Sequence, residues 1–193
     1  ERAGELVIAV KAENELVSLP NIIEGVRGAG VLVSLLTEHI GADVLSAGVG
    51  LRGVANFAVG FNNIDVEAAT ELGLPVTNTP VVLTDTTADL AWTLLMAAAR
   101  KIVPADRYMR EGKYKLWGPS LMLGVDISPG GEGRQKVLGI VGFGRIGRSV
   151  WKRSVGFDMR VLAFDPLVRD VIEETDGVEY AEMDALLAES DFV

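Results

Sequence analysis

The sequence predicts an α/β fold built on parallel sheets, and three observations carry that expectation. Short apolar runs rich in β-branched residues recur at Leu6–Val10, Val31–Leu36, Val54–Ala58 and Val76–Asn78. Helical stretches lie between them, as at Ala42–Ala47 and Asp65–Leu72. The runs are continuous and not alternating, which is the pattern of strands covered on both faces and joined by helical crossovers.

Composition narrows the function classes. The chain has 193 residues with 18 basic and 27 acidic side chains, a net charge of −9, which disfavours binding to nucleic acid or an anionic membrane by charge alone. Hydrophobic residues make up 49% and charged residues 23%, ample for a core, and the length allows one large or two small domains. There is no cysteine, which excludes disulfides, thiolate nucleophiles and thiolate metal sites. Residues 1–5 are mostly charged and no apolar run reaches the ~18 residues of a membrane span, so we expect a soluble, cytoplasmic protein without a signal peptide. The single histidine, His39, stands in the polar break Thr37-Glu38-His39-Ile40 and reads as a surface-loop residue; no metal site is expected.

The elements follow in order. The helix Asp65–Leu72 begins after Asn62-Asn63 and carries Glu67 in its first turn, where a negative charge complements the helix dipole. Thr86-x-x-Asp89 has the form of a capping box and opens a helix running to about Arg100. Within it, Leu90–Ala99 holds one polar residue, Thr93, so this helix is expected to be buried from several sides: against a second domain, against another subunit, or at the centre of one domain. Tyr114–Gln135 is a long irregular stretch containing Pro119 and Ser128-Pro129-Gly130-Gly131, expected to form an arm or lid. A second series then begins with strand Lys136–Val141, helix Gly144–Val155 and strand Met159–Phe164. It continues with helix Leu167–Thr175, strand Val178–Tyr180 and helix Met183–Glu189. We expect a domain boundary near Pro80–Thr84, giving domains at 1–83 and 84–193. Ser190-Asp191-Phe192-Val193 reads as the opening of another buried strand, and Leu6–Val10 follows only five residues, so the chain is expected to be a portion of a longer protein.

One motif carries chemistry. Gly142-Phe143-Gly144-Arg145-Ile146-Gly147 is G-x-G-x-x-G, placed directly after the apolar strand Val137–Val141 and at the start of a helix, with Asp165 ending the next strand 18 positions beyond Gly147. In that context Gly142 allows the tight turn, Gly144 lets backbone approach a pyrophosphate, and Gly147 lets helix and strand pack closely. The helix N-terminus presents N–H groups and a positive dipole end to the phosphates. Asp165 would accept hydrogen bonds from both adenosine ribose hydroxyls and repel a 2′-phosphate, which favours NAD over NADP. The other reading is a glycine-rich strand-to-helix turn with no ligand. Arg145 lies within the turn, within reach of a pyrophosphate, whereas Arg148 and Lys152 continue its helix face as solvated charges. A hydride-transfer enzyme also needs a substrate anchor. The candidate is the strand-to-helix turn Asn56–Asn63, where backbone N–H groups around Val59 and Gly60 suit a carboxylate, though such turns are also common without a ligand. No carbonyl polariser or proton donor is assignable from the residues present.

The segments Val54–Asp65, Thr77-Asn78-Thr79-Pro80, Leu83–Ala91 and Gly139–Gly147, in that order and spacing, resemble the D-2-hydroxyacid dehydrogenase family, and within it the glyoxylate/hydroxypyruvate reductase branch. The resemblance implies a flavodoxin-like substrate domain, a Rossmann dinucleotide domain inserted into it after the boundary near Thr84, and a homodimer built through the dinucleotide domain. The apolar helix and the Tyr114–Gln135 arm, with Trp117, would be dimer elements. Position by position, it implies that the Val59 and Gly60 amides hold the substrate carboxylate and that Leu36 lines the substrate pocket. Gly142, Gly144, Arg145, Ile146, Gly147, Asp165 and Pro166 would bind NAD. Val81 stands where many members have glycine. The family's catalytic arginine, glutamate and histidine would fall beyond Val193, so the parent would reduce a 2-keto acid such as glyoxylate or hydroxypyruvate while the 193-residue chain alone would not turn over. The alternatives are a non-catalytic NAD-binding regulator on the same fold and a branch acting on phosphoglycerate or formate.

Overall fold

The computed structural model describes residues 15–129 and 133–193, and the chain divides into two compact units, Glu1–Val82 and Leu83–Val193. The expected strand Leu6–Val10 lies outside the described residues.

In the first unit, helix α1 (Leu19–Val26) precedes strand β1 (Leu32–Leu35), α2 (Ala42–Ala47), β2 (Val54–Phe57), α3 (Val66–Glu71) and β3 (Val76–Thr77). The strands form one parallel sheet in the order β1-β2-β3, with Leu35 opposite Phe57 and Val54 opposite Val76. The sequence reading places no element over α1, whose Pro20 stands in the first turn, where proline gives up only an N–H that has no helical partner anyway. Asp65 caps α3 by accepting from the Ala68 N–H at 2.9 Å. One face of the sheet packs with the helices around Val26, Val44, Leu45 and Val54. The other is open: Val33 is 70% and Phe57 69% exposed. The expectation of cover on both faces therefore fails for this sheet among the described residues, because α1, α2 and α3 contribute their apolar residues to a single core.

The second unit runs through α4 (Thr84–Ala99), α5 (Ile102–Arg110), β4 (Val137–Val141), α6 (Arg145–Ser154), a 3-10 turn at Val155–Phe157, β5 (Arg160–Phe164), α7 (Arg169–Glu173), β6 (Glu179–Tyr180) and α8 (Met183–Glu189). Its sheet is parallel in the order β4-β5-β6, and here both faces are covered. Leu138, Ile140, Val161 and Ala163 point into one core with Phe143 and Ile172, while their neighbours Val137 and Leu162 pack on Leu186 of α8. A parallel bridge pairs Leu138 with Phe192, and the Gly139 N–H donates to the Phe192 carbonyl at 2.8 Å, so the chain returns along the free edge of β4. β4 therefore lies between β5 and the Phe192 segment: the α6 crossover leads from β4 to β5, whereas the segment on its other edge is reached from β6 through α8. That is a topological switch point, where open α/β sheets bind ligands beyond the carboxyl ends of their strands.

One expectation about α4 needs correction. The helix begins at Thr84 with Leu83 as its cap residue and no side-chain cap, so Thr86 lies inside the first turn and no capping box forms. The acid of the would-be box is taken by a stronger partner: Asp89 accepts from the Arg153 guanidinium of α6, and Asp85 accepts from the Ser149 hydroxyl at 2.6 Å. Within this single chain, one side of α4 is left uncovered among the described residues. Trp92, Leu95 and Met96 pack on the core, while Leu90 and Leu94 are 57% and 60% exposed. Helix α5 was not foreseen, because Lys101 breaks it from α4 in a left-handed conformation (φ 53°) with no glycine to signal the break. Beyond α5 the chain is irregular as far as β4 wherever it is described, but it is anchored: the Val125 N–H donates to the Ala99 carbonyl at 2.7 Å and Ile127 is buried in the core.

Candidate functional site

The glycine loop forms where β4 ends and α6 begins. The β4–β5 register runs through Val141 opposite Phe164, and the Gly142 N–H donates to the Phe164 carbonyl at 2.8 Å, so the loop starts level with the end of β5. Gly142 has φ 93°, outside the range of ordinary L-residues, and turns the chain away from the sheet. A Cβ at Gly147 would sit 2.1 Å from the Gly142 carbonyl oxygen, so only glycine allows α6 this close to the loop. Phe143 is fully buried and stacks at a tilt on Trp151 with ring centroids 6.2 Å apart, fastening the loop to the core beneath it. Gly144 caps α6 without a side chain, and a Cβ there would meet nothing within 4 Å. The space before the first-turn N–H groups of α6 is thus open to an anion.

Asp165 lies at the end of β5 beside this loop. One carboxylate oxygen accepts from the Phe143 N–H and the other from the Leu167 N–H, both at 3.0 Å. A carboxylate has about four lone-pair sites, so two remain for hydroxyl donors. These bonds fix the side chain against the loop, and Pro166 beside it is exposed. Arg145 and Ile146 are exposed on the first turn of α6; Arg145 makes no ion pair among the described residues, whereas Arg153 on the same helix is committed to Asp85 and Asp89. An open anion seat at a helix N-terminus and a carboxylate with spare acceptor capacity at the next strand end fit a dinucleotide such as NAD.

In the first unit, Leu36 follows β1 directly and Val59 lies two residues past β2. Because Leu35 pairs with Phe57, both stand at the carboxyl edge of the sheet. Leu36 is 67% exposed and Val59 36%. Among the described residues, the backbone N–H groups of Val59, Gly60 and Phe61 have no acceptor. The same turn is bound up by the side-chain amides of Asn56, Asn63 and Asn78. Sequence reasoning quoted these three as motif letters and gave them no role; their signal was that Asn56 breaks an apolar strand pattern at a position that proves buried. His39 is exposed, and no group of His, Asp and Glu among the described residues is arranged to hold a metal.

The open-sheet topology and the glycine loop make the second unit a Rossmann-type dinucleotide-binding domain. The chain belongs to the D-2-hydroxyacid dehydrogenase family: residues 92–193 match the family's sequence model for the D-isomer specific 2-hydroxyacid dehydrogenase NAD-binding domain. It is similar to a glyoxylate reductase of Korarchaeum cryptofilum (strain OPF8), 56% identical over 173 residues, covering 89% of this chain and 50% of that protein. A glyoxylate reductase of Thermococcus onnurineus (strain NA1) is 43% identical over 190 residues, covering 96% of this chain and 55% of that protein. Among solved structures, a protein of Thermus thermophilus superposes with a TM-score of 0.81 at 37% identity, over 92% of this chain and 54% of that one. The chain therefore spans about half the length of the curated relatives it matches. No helix among the described residues is long and apolar enough to cross a membrane.

Proposed function

We propose that this chain supplies the NAD-binding loop and the substrate anchor of a homodimeric, cytoplasmic reductase of small 2-keto acids of the glyoxylate or hydroxypyruvate kind. The observation that supports the reading is the pairing of Asp165 with an open glycine loop, because a carboxylate at that place favours a free ribose over a 2′-phosphate. The first unit is read as the substrate-binding domain, within 1–83, and the second as the NAD-binding domain, 84–193.

The α6 first-turn amides and Arg145 would hold the pyrophosphate, Gly144 and Ile146 would leave it room, and Asp165 with Pro166 would take the adenosine ribose. NAD in its reduced form supplies a hydride to the keto carbon. The Val59 and Gly60 N–H groups would hold the substrate carboxylate and so fix its orientation, with Leu36 as an apolar wall. The exposed apolar strip of α4 around Leu90 and Leu94 supports a homodimer through the second unit. On this reading the 193-residue chain alone binds both ligands without oxidising NADH, and steady oxidation of NADH with glyoxylate contradicts that part.

Nitrogen-15 amide spectra of the protein, recorded with NADH and then with added oxamate, an unreactive 2-keto-acid analogue, test the proposal. Shifts at residues 142–147 with NADH, followed by saturable shifts at Val59 and Gly60 with oxamate, are expected. A protein that takes NADH but leaves Val59 and Gly60 unmoved is instead a non-catalytic dinucleotide-binding regulator.

A further inference from the structure

We propose that Asn78 and Asn56 are positioning residues of the carboxylate anchor, each aiming one backbone N–H of the Val59–Phe61 turn by holding the carbonyl of the same peptide. The inference rests on the reading that Val59 and Gly60 take the substrate carboxylate, and it says what keeps those amides pointed outward.

The peptide unit is planar and trans, so the C=O of one residue and the N–H of the next point in opposite directions. The Thr79 N–H donates to the Ala58 carbonyl at 2.9 Å, which turns the Val59 N–H away from the sheet. Asn78 Nδ2 donates to the Val59 carbonyl at 2.7 Å, which does the same for the Gly60 N–H. Asn56 Nδ2 donates to the Gly60 carbonyl at 2.9 Å and so sets the Phe61 N–H. Three successive carbonyls are drawn onto protein donors, and the three N–H groups on their far sides are left without an acceptor among the described residues.

Asn56 is 2% exposed and its amide is fully used. Its Oδ1 accepts from the Ser34 hydroxyl at 2.9 Å, and its second donor bond goes to Asn63 Oδ1 at 3.0 Å. Asn63 in turn donates to the carbonyls of Leu35 at 3.0 Å and Glu38 at 3.1 Å. The clamp therefore runs from β1 through β2 to the turn, and it needs amides: a carboxylate at 56 would turn donors into acceptors facing two oxygens, and an alkyl group would leave the Gly60 carbonyl and Asn63 Oδ1 without this donor. A network that only satisfied buried polar groups would not need Asn78, which is half-buried and reaches from the far side of the turn to a single carbonyl. Its evident product is orientation, and holding the turn in its bound form in advance raises affinity by removing an ordering cost from the binding step.

The experiment is an oxamate titration of nitrogen-15-labelled protein, followed at Val59 and Gly60, for the natural chain and for Asn78→Ala and Asn56→Ser. NADH affinity, which belongs to the other unit, reports the integrity of each variant. Asn78→Ala is expected to weaken oxamate about five- to tenfold, the worth of one net hydrogen bond. The Gly60 signal should lose most of its shift, while NADH affinity and the remaining spectrum stay unchanged. Asn56→Ser, which frees the Gly60 carbonyl and with it the Phe61 N–H beside the anchor, should weaken oxamate less than Asn78→Ala; should it unfold the first unit, Asn78→Ala decides alone. Oxamate affinity within twofold of the natural chain in Asn78→Ala overturns the positioning role. Unmoved Val59 and Gly60 signals in the natural chain overturn the carboxylate reading and this inference with it, so the two failures are distinguishable.

Discussion

Replacing Gly147 and Gly144 separately by alanine should divide the glycine loop into its packing half and its binding half. At Gly147 the new Cβ would lie 2.1 Å from the Gly142 carbonyl oxygen and 3.2 Å from Ile140 Cγ2. An ordinary contact begins near 3.4 Å, so α6 must retreat by about 1 Å from a close-packed interior, and overpacking of this kind costs about 1–3 kcal/mol. At Gly144 nothing lies within 4 Å of the Cβ and φ is −72°, which any residue adopts, so stability should stay within about 0.5 kcal/mol. That same methyl group would occupy the space before the α6 amides, and NADH affinity should fall tenfold or more. All three tryptophans, Trp92, Trp117 and Trp151, lie in the second unit, so urea unfolding followed by their fluorescence reads this unit alone, and quenching by NADH reads the site. Gly147→Ala as stable as the natural chain would refute the close approach of helix and loop. Gly144→Ala binding NADH normally would refute the loop as the pyrophosphate seat.

Three further perturbations test separate parts of the account. Asp165→Ser removes the acceptor of the Phe143 and Leu167 amides along with the negative charge, and should shift the ratio of NADH to NADPH affinity toward NADPH by at least tenfold; an unchanged ratio in calorimetry contradicts the assigned role. Val81 has φ 77°, a conformation that costs a β-branched residue about 1–3 kcal/mol, against about 0.5–1 kcal/mol of chain entropy for glycine, so Val81→Gly should stabilise the protein by roughly 1 kcal/mol in thermal unfolding; a lowered midpoint counts against the strain. Burial pushes the Asp191 carboxyl up, but the Val137 N–H and the Arg134 guanidinium outweigh it and hold it below its ordinary range. A depressed carboxylate gives stability that is complete above about pH 4 and is lost as pH falls through its own lower value. Asp191→Asn should therefore be less stable than the natural chain at pH 7, with a gap that closes below about pH 4; a gap constant down to pH 3 rules the pairing out.

Continuous apolar runs made most of the strands and helices legible, and α2 and α8 have the bounds expected of them. The elements that sequence reasoning missed are those where a local rule misleads. Pro20 and Pro104 sit in first turns, where proline does no harm, and Lys101 breaks the chain without a glycine. The expected capping box at Thr86 lost to a long-range partner, since Arg153 lies 64 residues from Asp89 and no local pattern can anticipate it. At the site, the glycines and Asp165 were readable because their spacing encodes backbone geometry. The asparagines were not, because the work of Asn56 depends on a partner 22 residues away in β1 and on burial that composition does not reveal. Val81 was noted as a departure from glycine, and its left-handed backbone supplies the physical reason that glycine suits that position.

Isothermal titration of the 193-residue protein with NADH and NADPH side by side tests the central claim most directly. The account predicts saturable binding of NADH at one site per chain and NADPH at least tenfold weaker, because the proposed role of the Asp165 carboxylate is to take the adenosine ribose and repel a 2′-phosphate. Equal or tighter binding of NADPH, or no heat from either nucleotide, would contradict it.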